Sequence, residues 1–317
     1  MTAKVFIDGE QGTTGLQIHA RLATRKDVTL MSLPHADRRN VDARREMLNS
    51  ADIVILCLPD EAAVEAVSMI ENPDVRVIDA STAHRVADGW VFGMPEHDAG
   101  QRARIAAAAR VSNPGCYAVA SISLLHPLVS AGLLPPDWPI TINAVSGYSG
   151  GGKSMIAEFE DPASASHTET PFFVYGLTLE HKHVPEIQKH GSLTRRPLFV
   201  PSVGRFAQGM IVQIPLQLWA LPGVPTPKAI RQALAEHYAG CRFVTVAAPD
   251  AAKGISRLEP ELVNGTNELR LHVFGNEADG QVVLVALLDN LGKGASGSTV
   301  QNMNIMLGID EGAGLDP

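Results

Sequence analysis

Cysteine is scarce in this chain: Cys57, Cys116 and Cys241 are the only three. An odd number of scattered cysteines fits a reducing compartment better than a disulfide framework, and no CxxC pair or tight Cys/His cluster suggests a structural zinc site. Positive charge is also limited. Lys and Arg total 26 against 34 Asp and Glu, for a net charge of -8, and no long Lys/Arg run occurs. That balance argues against a nucleic-acid partner, and an anionic substrate would have to be met by local positive charge. No apolar stretch approaches the roughly 20 residues that span a bilayer. The N-terminus runs straight into a strand-like segment without a signal peptide, so a cytoplasmic, membrane-free protein is expected. Repeats, low-complexity tracts and disordered linkers are missing too. What remains is an ordinary globular composition, 45% hydrophobic and 19% charged, over 317 residues, enough for two lobes with full cores.

The first third alternates strand and helix. Val5-Phe6-Ile7 is a short apolar strand, followed by Gly9-Glu-Gln-Gly12-Thr13-Thr14-Gly15 and an amphipathic segment through Leu16, Ile18 and Leu22. Strand, glycine-rich turn and helix form the setting of a dinucleotide fingerprint, in which glycines let a pyrophosphate approach the free N–H groups of a helix N-terminus. The spacing here is GxxGxxG rather than GxGxxG, and a plain βα turn also uses glycines. A second strand, 28–33, ends at Pro34-His35-Ala36-Asp37-Arg38-Arg39. Arginine at this point suits a 2′-phosphate, whereas an acidic residue suits free ribose hydroxyls; Arg38 and Arg39 therefore favour NADP, with Asp37 pulling the other way. Further apolar runs at 53–58 and 75–78 flank a helix over 61–70. Continuous apolar strands indicate a sheet covered on both faces, so the expected fold is α/β, with a Rossmann-type doubly wound parallel sheet.

Residues 112–120, Ser-Asn-Pro-Gly-Cys-Tyr-Ala-Val-Ala, carry the strongest local signal. Asn113-Pro114-Gly115 makes a turn and the run from Cys116 reads as a helix. The thiol then sits at a helix N-terminus, where unpaired N–H groups and the helix dipole favour the thiolate. An unperturbed thiol is only about 3% ionised at pH 7, so the placement suits a nucleophile. Cys57, near a strand end before Pro59, reads as buried packing.

Beyond the helix from Cys116 to about Ser130 the pattern changes. A strand over 140–145 leads into the glycine-rich loop Ser146 to Lys153. Long strand-like runs follow at 209–218, 242–247, 268–274 and 281–288, with one helix, 228–238, among them. Strands dominating over helices predict a mixed or antiparallel sheet in an α+β second domain. A small-residue turn from Gly294 opens a last helix through 300–307. The segment Glu180-His181-Lys182-His183-Val184-Pro185-Glu186 places two imidazoles, the side chains best suited to proton movement near neutral pH, one residue apart. In a strand they would face opposite ways, and as a metal pair they lack an evident third ligand. Pro185 reads as N1 of a helix.

Taken together and in order, Asn113-Pro-Gly-Cys116-Tyr117, His181-Lys-His183-Val-Pro-Glu186 and Gly294-Ala-Ser-Gly-Ser-Thr-Val-Gln-Asn302-Met make the chain resemble the short-form N-acetyl-γ-glutamyl-phosphate reductases, relatives of aspartate-semialdehyde dehydrogenase. The resemblance runs from the glycine-rich turn to the last helix. It implies an NADP-binding domain over 1–115, completed by 294–317, and a catalytic and oligomerisation domain over 116–293, in a homodimer or homotetramer. It implies an enzyme that uses NADP(H) and a small acyl-phosphate substrate in arginine biosynthesis. It implies Cys116 as nucleophile, His183 as acid/base, His181 and Tyr175 on the substrate, Ser146 close to substrate or cofactor, and Asn302 near the nicotinamide, beside cofactor contacts at Gly9, Gly12, Thr13, Thr14 and Gly15. Longer members carry an Arg-Gly pair where this chain reads Arg205-Phe-Ala-Gln208-Gly209, so Arg205 and Arg85 compete as the phosphate-binding arginine. An N-acetyl-aminoadipyl-phosphate reductase or an aspartate-semialdehyde dehydrogenase would share the chemistry but not the side-chain pocket. A non-catalytic NADP-binding regulator would be expected to lack the cysteine or the histidines, and both are here.

Overall fold

The computed structural model describes residues 2–37, 40–249 and 254–316, which fall into two units. The first runs to Gly115 and takes in Ala295–Asp316; the second spans Cys116–Gly294.

The first unit is built from β1 (Ala3–Asp8), α1 (Thr13–Leu22), β2 (Val28–Met31), α2 (Val41–Ser50), β3 (Ile53–Leu56), α3 (Asp60–Ser68), β4 (Arg76–Asp79), β5 (Val91–Phe92), α4 (Gln101–Ala107) and β6 (Arg110–Ser112). Its six strands pair in the order β2-β1-β3-β4-β6-β5, every pair parallel. All four residues of β3 are buried, as a strand covered on both faces must be. Phe6, Leu48, Val54, Leu56, Met69 and Val77 form a core between the sheet and α2 and α3. Asn40 caps α2 by accepting from the N–H groups of Asp42 and Ala43. Chain order reverses between β1 and β3, and in open α/β sheets ligands bind outside the strand ends at that switch point.

The second unit begins with α5 (Cys116–Ser130), then β7 (Thr141–Gly147), α6 (Gly152–Glu160), β8 (Phe172–Val174), α7 (Val184–His190), β9 (Leu198–Gly204), β10 (Met210–Gln217), α8 (Pro227–His237), β11 (Val244–Val246), β12 (Leu269–Asn276) and β13 (Gln281–Leu288). The seven-stranded sheet, β11-β12-β13-β10-β7-β9-β8, is mixed: β7/β9 and β11/β12 are parallel and the rest antiparallel. Among the described residues three α-helices besides α5 share this unit: α7 and α8 stand where helices were expected, and α6 is additional, because the glycine loop over 146–153 turns directly into it. Apolar all round, α5 packs against β10 and β13 with α7 and α8 also against it. Pro127 lacks the N–H that would bond to the Ser123 carbonyl, and the Tyr238 hydroxyl donates to that oxygen at 3.0 Å instead. On the opposite face of the sheet, Val145, Ile211, Val285 and Leu287 pack with Leu258, Val263 and Phe274.

The chain then re-enters the first unit as α9 (Gly297–Leu307), which packs on α1, α4 and β4. No helix among the described residues is long and apolar enough to cross a membrane.

Candidate functional site

In the first unit a cleft of about 370 Å³ opens at the switch point, lined by Asp8, Gly9, Gly12, Leu33, Arg44 and Cys57 among others. Gly9 has φ +87°, and a Cβ there would lie 2.2 Å from the Cys57 carbonyl oxygen, so only glycine fits. Gly15 also leaves no room for a side chain, since a Cβ there would lie 2.5 Å from the Gly9 carbonyl oxygen. Gly12 precedes α1 with no side-chain cap, which leaves the first N–H groups of the helix directed outward. Thr13 Oγ1 is buried without a hydrogen-bond partner among the described residues. These features fit the pyrophosphate of a dinucleotide, an acceptor-rich group that would satisfy both the backbone donors and the hydroxyl.

Asn302 in α9 adds a second indication. Its amide nitrogen donates to the Gly93 carbonyl at 2.7 Å and to Asn113 Oδ1 at 3.0 Å, while its own Oδ1 is buried without a partner among the described residues. A buried acceptor without a donor suits a carboxamide N–H such as that of a nicotinamide. Arg38 and Arg39 lie outside the described residues. Arg44, which the sequence reading passed over, lines the cleft; its Nε donates to Asp8 at 2.7 Å and its Nη1 to Glu65 at 3.2 Å. Burial pushes the Asp8 carboxyl up from its ordinary value against the opposing pull of Arg44. Nothing in the sequence pairs two residues 36 positions apart, so only the fold discloses this contact.

Arg85, 9% exposed, donates from Nε to the Asn113 carbonyl at 3.2 Å and from Nη2 to the Ala80 carbonyl at 3.1 Å. It grips the turn that carries the chain into α5. Arg205, in the second unit, is held elsewhere: its guanidinium donates to the Thr168 carbonyl at 2.6 Å, pairs with Glu169 at 2.9 Å and lies over the Phe159 ring.

The second unit gathers Cys116, Tyr117, Ser146, Tyr175, His181 and His183. Cys116 is the first residue of α5 and partly accessible. Gly294 packs against it so closely that a Cβ there would lie 2.7 Å from the Cys116 Cβ. The Tyr117 ring sits 5.8 Å from the His181 ring and 5.7 Å from that of His183. The two imidazoles do not face opposite ways as they would in a strand. They lie in a turn ahead of α7, with centroids 4.9 Å apart, because Gly176 and Leu179 take left-handed backbone (φ +64° and +62°) and reverse the chain. His183, 6% exposed, occupies the position before α7, so Pro185 is the second residue of that helix rather than the first. Ser146 is buried at the end of β7.

Hydrogen bonds link the cluster. Tyr117 Oη donates to the Ser202 carbonyl at 3.3 Å, Tyr175 Oη donates to Tyr117 Oη at 3.3 Å, and Tyr175 Oη lies 3.3 Å from His181 Nε2. The His183 N–H donates to His181 Nδ1 at 3.2 Å. Burial, with the neighbouring Cys116 charge, pushes the Tyr175 phenol up to about 12 and raises Tyr117 further. Tyr117 stood beside the cysteine in the motif, but the sequence holds no sign that its hydroxyl joins the histidine turn.

The comparisons with known proteins agree with this layout. Residues 4–106 match the semialdehyde dehydrogenase NAD binding domain, and residues 116–290 the semialdehyde dehydrogenase dimerisation domain. Among solved structures, aspartate semialdehyde dehydrogenase II of Vibrio cholerae, complexed with ASA, superposes with a TM-score of 0.70 at 14% identity, over 97% of this chain and 98% of that one. The Francisella tularensis aspartate semialdehyde dehydrogenase gives 0.71 at 14%, over 96% and 100%. At these identities the likeness concerns the fold alone; the two family matches define an oxidoreductase of the semialdehyde dehydrogenase class. Much nearer in sequence are the N-acetyl-gamma-glutamyl-phosphate reductase of Brucella anthropi, 56% identical over 97% of this chain and 99% of its own length, and N-acetyl-gamma-glutamyl-phosphate reductase 2 of Pseudomonas putida, 54% identical over 97% of each. The chain belongs to the N-acetyl-γ-glutamyl-phosphate reductase family.

Proposed function

We propose that this protein reduces N-acetyl-L-glutamyl 5-phosphate to N-acetyl-L-glutamate 5-semialdehyde and phosphate, a step of arginine biosynthesis, with NADPH as reductant. The observation that carries the reading is the thiol at the first position of α5, with Tyr117 next to it in contact with two imidazoles.

A carboxylate is a poor hydride acceptor, which is why an acyl phosphate is the substrate. Cys116 attacks its acyl carbon as the thiolate; the C–O bond to phosphate breaks and a thioester forms. Bound NADPH supplies the hydride. The unpaired backbone N–H groups of the first turn of α5, which begins at Cys116, would stabilise the charge on the resulting thiohemiacetal oxygen. His183 holds the proton exchanged at that oxygen as the thiolate is restored and the aldehyde leaves. Tyr175 and Ser146 line the substrate side, and Arg85 holds the Asn113-Pro-Gly turn through the Asn113 carbonyl. The sheet face carrying exposed Phe172 and Val174 beside Val200 and Ile211 pairs with a second copy, in keeping with the dimerisation family of this unit.

The test is the reverse reaction: purified protein with N-acetylglutamate semialdehyde, phosphate and NADP⁺, followed at 340 nm. Phosphate-dependent NADPH formation, strongest with this aldehyde, supports the reading. Activity with aspartate semialdehyde or N-acetyl-aminoadipate semialdehyde alone moves the substrate, and silence with all three in protein that binds NADP overturns the catalytic reading.

A further inference from the structure

The two imidazoles of the catalytic turn have different proton inventories, and the hydrogen bonds determine which is which. A backbone carbonyl only accepts, so the single hydroxyl proton of Tyr117 is committed to the Ser202 oxygen. With that proton used, the bond between the phenols must run from Tyr175 to Tyr117, which commits the proton of Tyr175. The contact between Tyr175 Oη and His181 Nε2 can then be a hydrogen bond only if Nε2 carries the proton. At the opposite edge of the ring a backbone N–H only donates, so His181 Nδ1, which receives the His183 N–H, must be bare. Reasoning from the Ser202 carbonyl and from the His183 amide, two independent ends of the network, yields the same tautomer.

We infer that His181 is locked as the neutral Nε2–H tautomer, acts as a positioning residue through Tyr175 and through the His183 backbone, and holds no proton for the reaction, leaving proton transfer to His183. Protonating His181 would set an Nδ1–H against the His183 N–H and remove the bond that orients the next residue. Apart from Cys116, whose thiolate would favour a charged ring, the groups packed around it are uncharged or already paired. Tyr117 of α5 and Tyr175 after β8 stay protonated, Phe199 of β9 is apolar at 5.0 Å between centroids, and the neighbouring Glu180 is engaged by Arg196 at 3.0 Å. His183 and Cys116 are the remaining ionisable groups of the cluster. The turn itself is held from outside, because Arg196 Nη2 also donates to the carbonyl of Leu179, the residue in left-handed backbone.

This assignment deepens the proposed mechanism and rests on it for its catalytic meaning, but the tautomer is measurable without turnover. The experiment is ¹⁵N NMR of protein labelled at histidine, with His181 assigned by its disappearance in His181→Gln, over pH 5.5–8. The expected result is a His181 ring protonated at Nε2, bare at Nδ1 and unchanged across the range. A ring protonated at Nδ1, or one that titrates within that range, overturns the inference, whether or not the enzyme reduces the acyl phosphate. Kinetics give a second reading. His181→Gln keeps a donor for Tyr175, so kcat should fall about tenfold with the pH profile unshifted, and Tyr175→Phe should behave alike. A His181→Gln enzyme whose limiting pH limb has moved or vanished would make His181 the titrating group and sink the assignment.

Discussion

Gly294 and Cys116 touch through atoms that leave no room for a methyl group: a Cβ on Gly294 would lie 2.7 Å from the Cys116 Cβ and 3.3 Å from its Cα. Carbon atoms in ordinary contact sit about 3.5–4.0 Å apart, so alanine here must displace Cys116, the proposed nucleophile, by close to an ångström. Misplacement on that scale costs about 100-fold in rate. Gly294→Ala is therefore expected to lower kcat by about two orders of magnitude while NADPH affinity, measured by fluorescence titration, stays at the wild-type value. An equal loss of NADPH binding would show the damage to be general.

Cys116→Ser keeps the shape of the side chain and removes the thiolate. Turnover should become undetectable in the phosphate-dependent assay, with cofactor binding intact. Mass spectrometry of wild-type protein mixed with acyl phosphate and no reductant should show a covalent acyl adduct that the serine variant lacks. Near-normal turnover by the variant would exclude the thioester route.

Arg44 and Asp8 form a mostly buried ion pair, 14% and 11% exposed at the side chains, in the lining of the switch-point cleft. Arg44→Met leaves the Asp8 carboxylate buried and unpaired, which typically costs about 3 kcal/mol. Urea denaturation should show a loss of that order. The double variant Asp8→Asn/Arg44→Met should recover most of it, because no buried charge remains. Additive losses would mean that the two side chains act independently.

His272 stands in β12 at 4% exposure, stacked on Phe274, and neither ring nitrogen has a hydrogen-bond partner among the described residues. Burial, helped by Arg270 and opposed by Glu268, holds its pKa below the ordinary 6.5. The unfolded chain then binds a proton that the native ring refuses, so stability is complete above about pH 6.5 and falls as the pH drops toward the native pKa. The slope contributed by this one site cannot exceed about 1.4 kcal/mol per pH unit. His272→Phe, similar in shape and without the titration, should flatten the acid limb in urea melts between pH 5 and 7.5. An unchanged limb would assign it to other groups.

Which parts of the protein could be read before folding follows from the range of the forces involved. The parallel sheet was visible because strands covered on both faces must be apolar throughout, as Ile53 to Leu56 are. The glycine turn was visible because a backbone that passes 2.2 Å from a would-be Cβ admits one residue type. Elements α6 and α7 were read as loop or only as a helix start, because the three glycines before α6 and the histidines before α7 carry no apolar period. The orientation of His181 is not legible for the same reason: strand alternation fixes where residues two apart point, whereas a left-handed turn such as that at Leu179 does not announce itself at a leucine.

By itself, then, the sequence determined the local matters: the α/β class, the family, the helix that begins at Cys116, and the presence of residue types suited to the proposed thioester chemistry. These depend on periodicity, on backbone permission and on motifs read within a few residues. Tertiary structure alone decided which groups meet. Arg44 reaches Asp8, the Tyr238 hydroxyl satisfies the carbonyl freed by Pro127, and the Ser202 carbonyl directs a proton chain through two tyrosines to His181. Such contacts join residues tens of positions apart, and their direction depends on angles and on which atoms can donate, quantities that exist only once the chain has closed on itself.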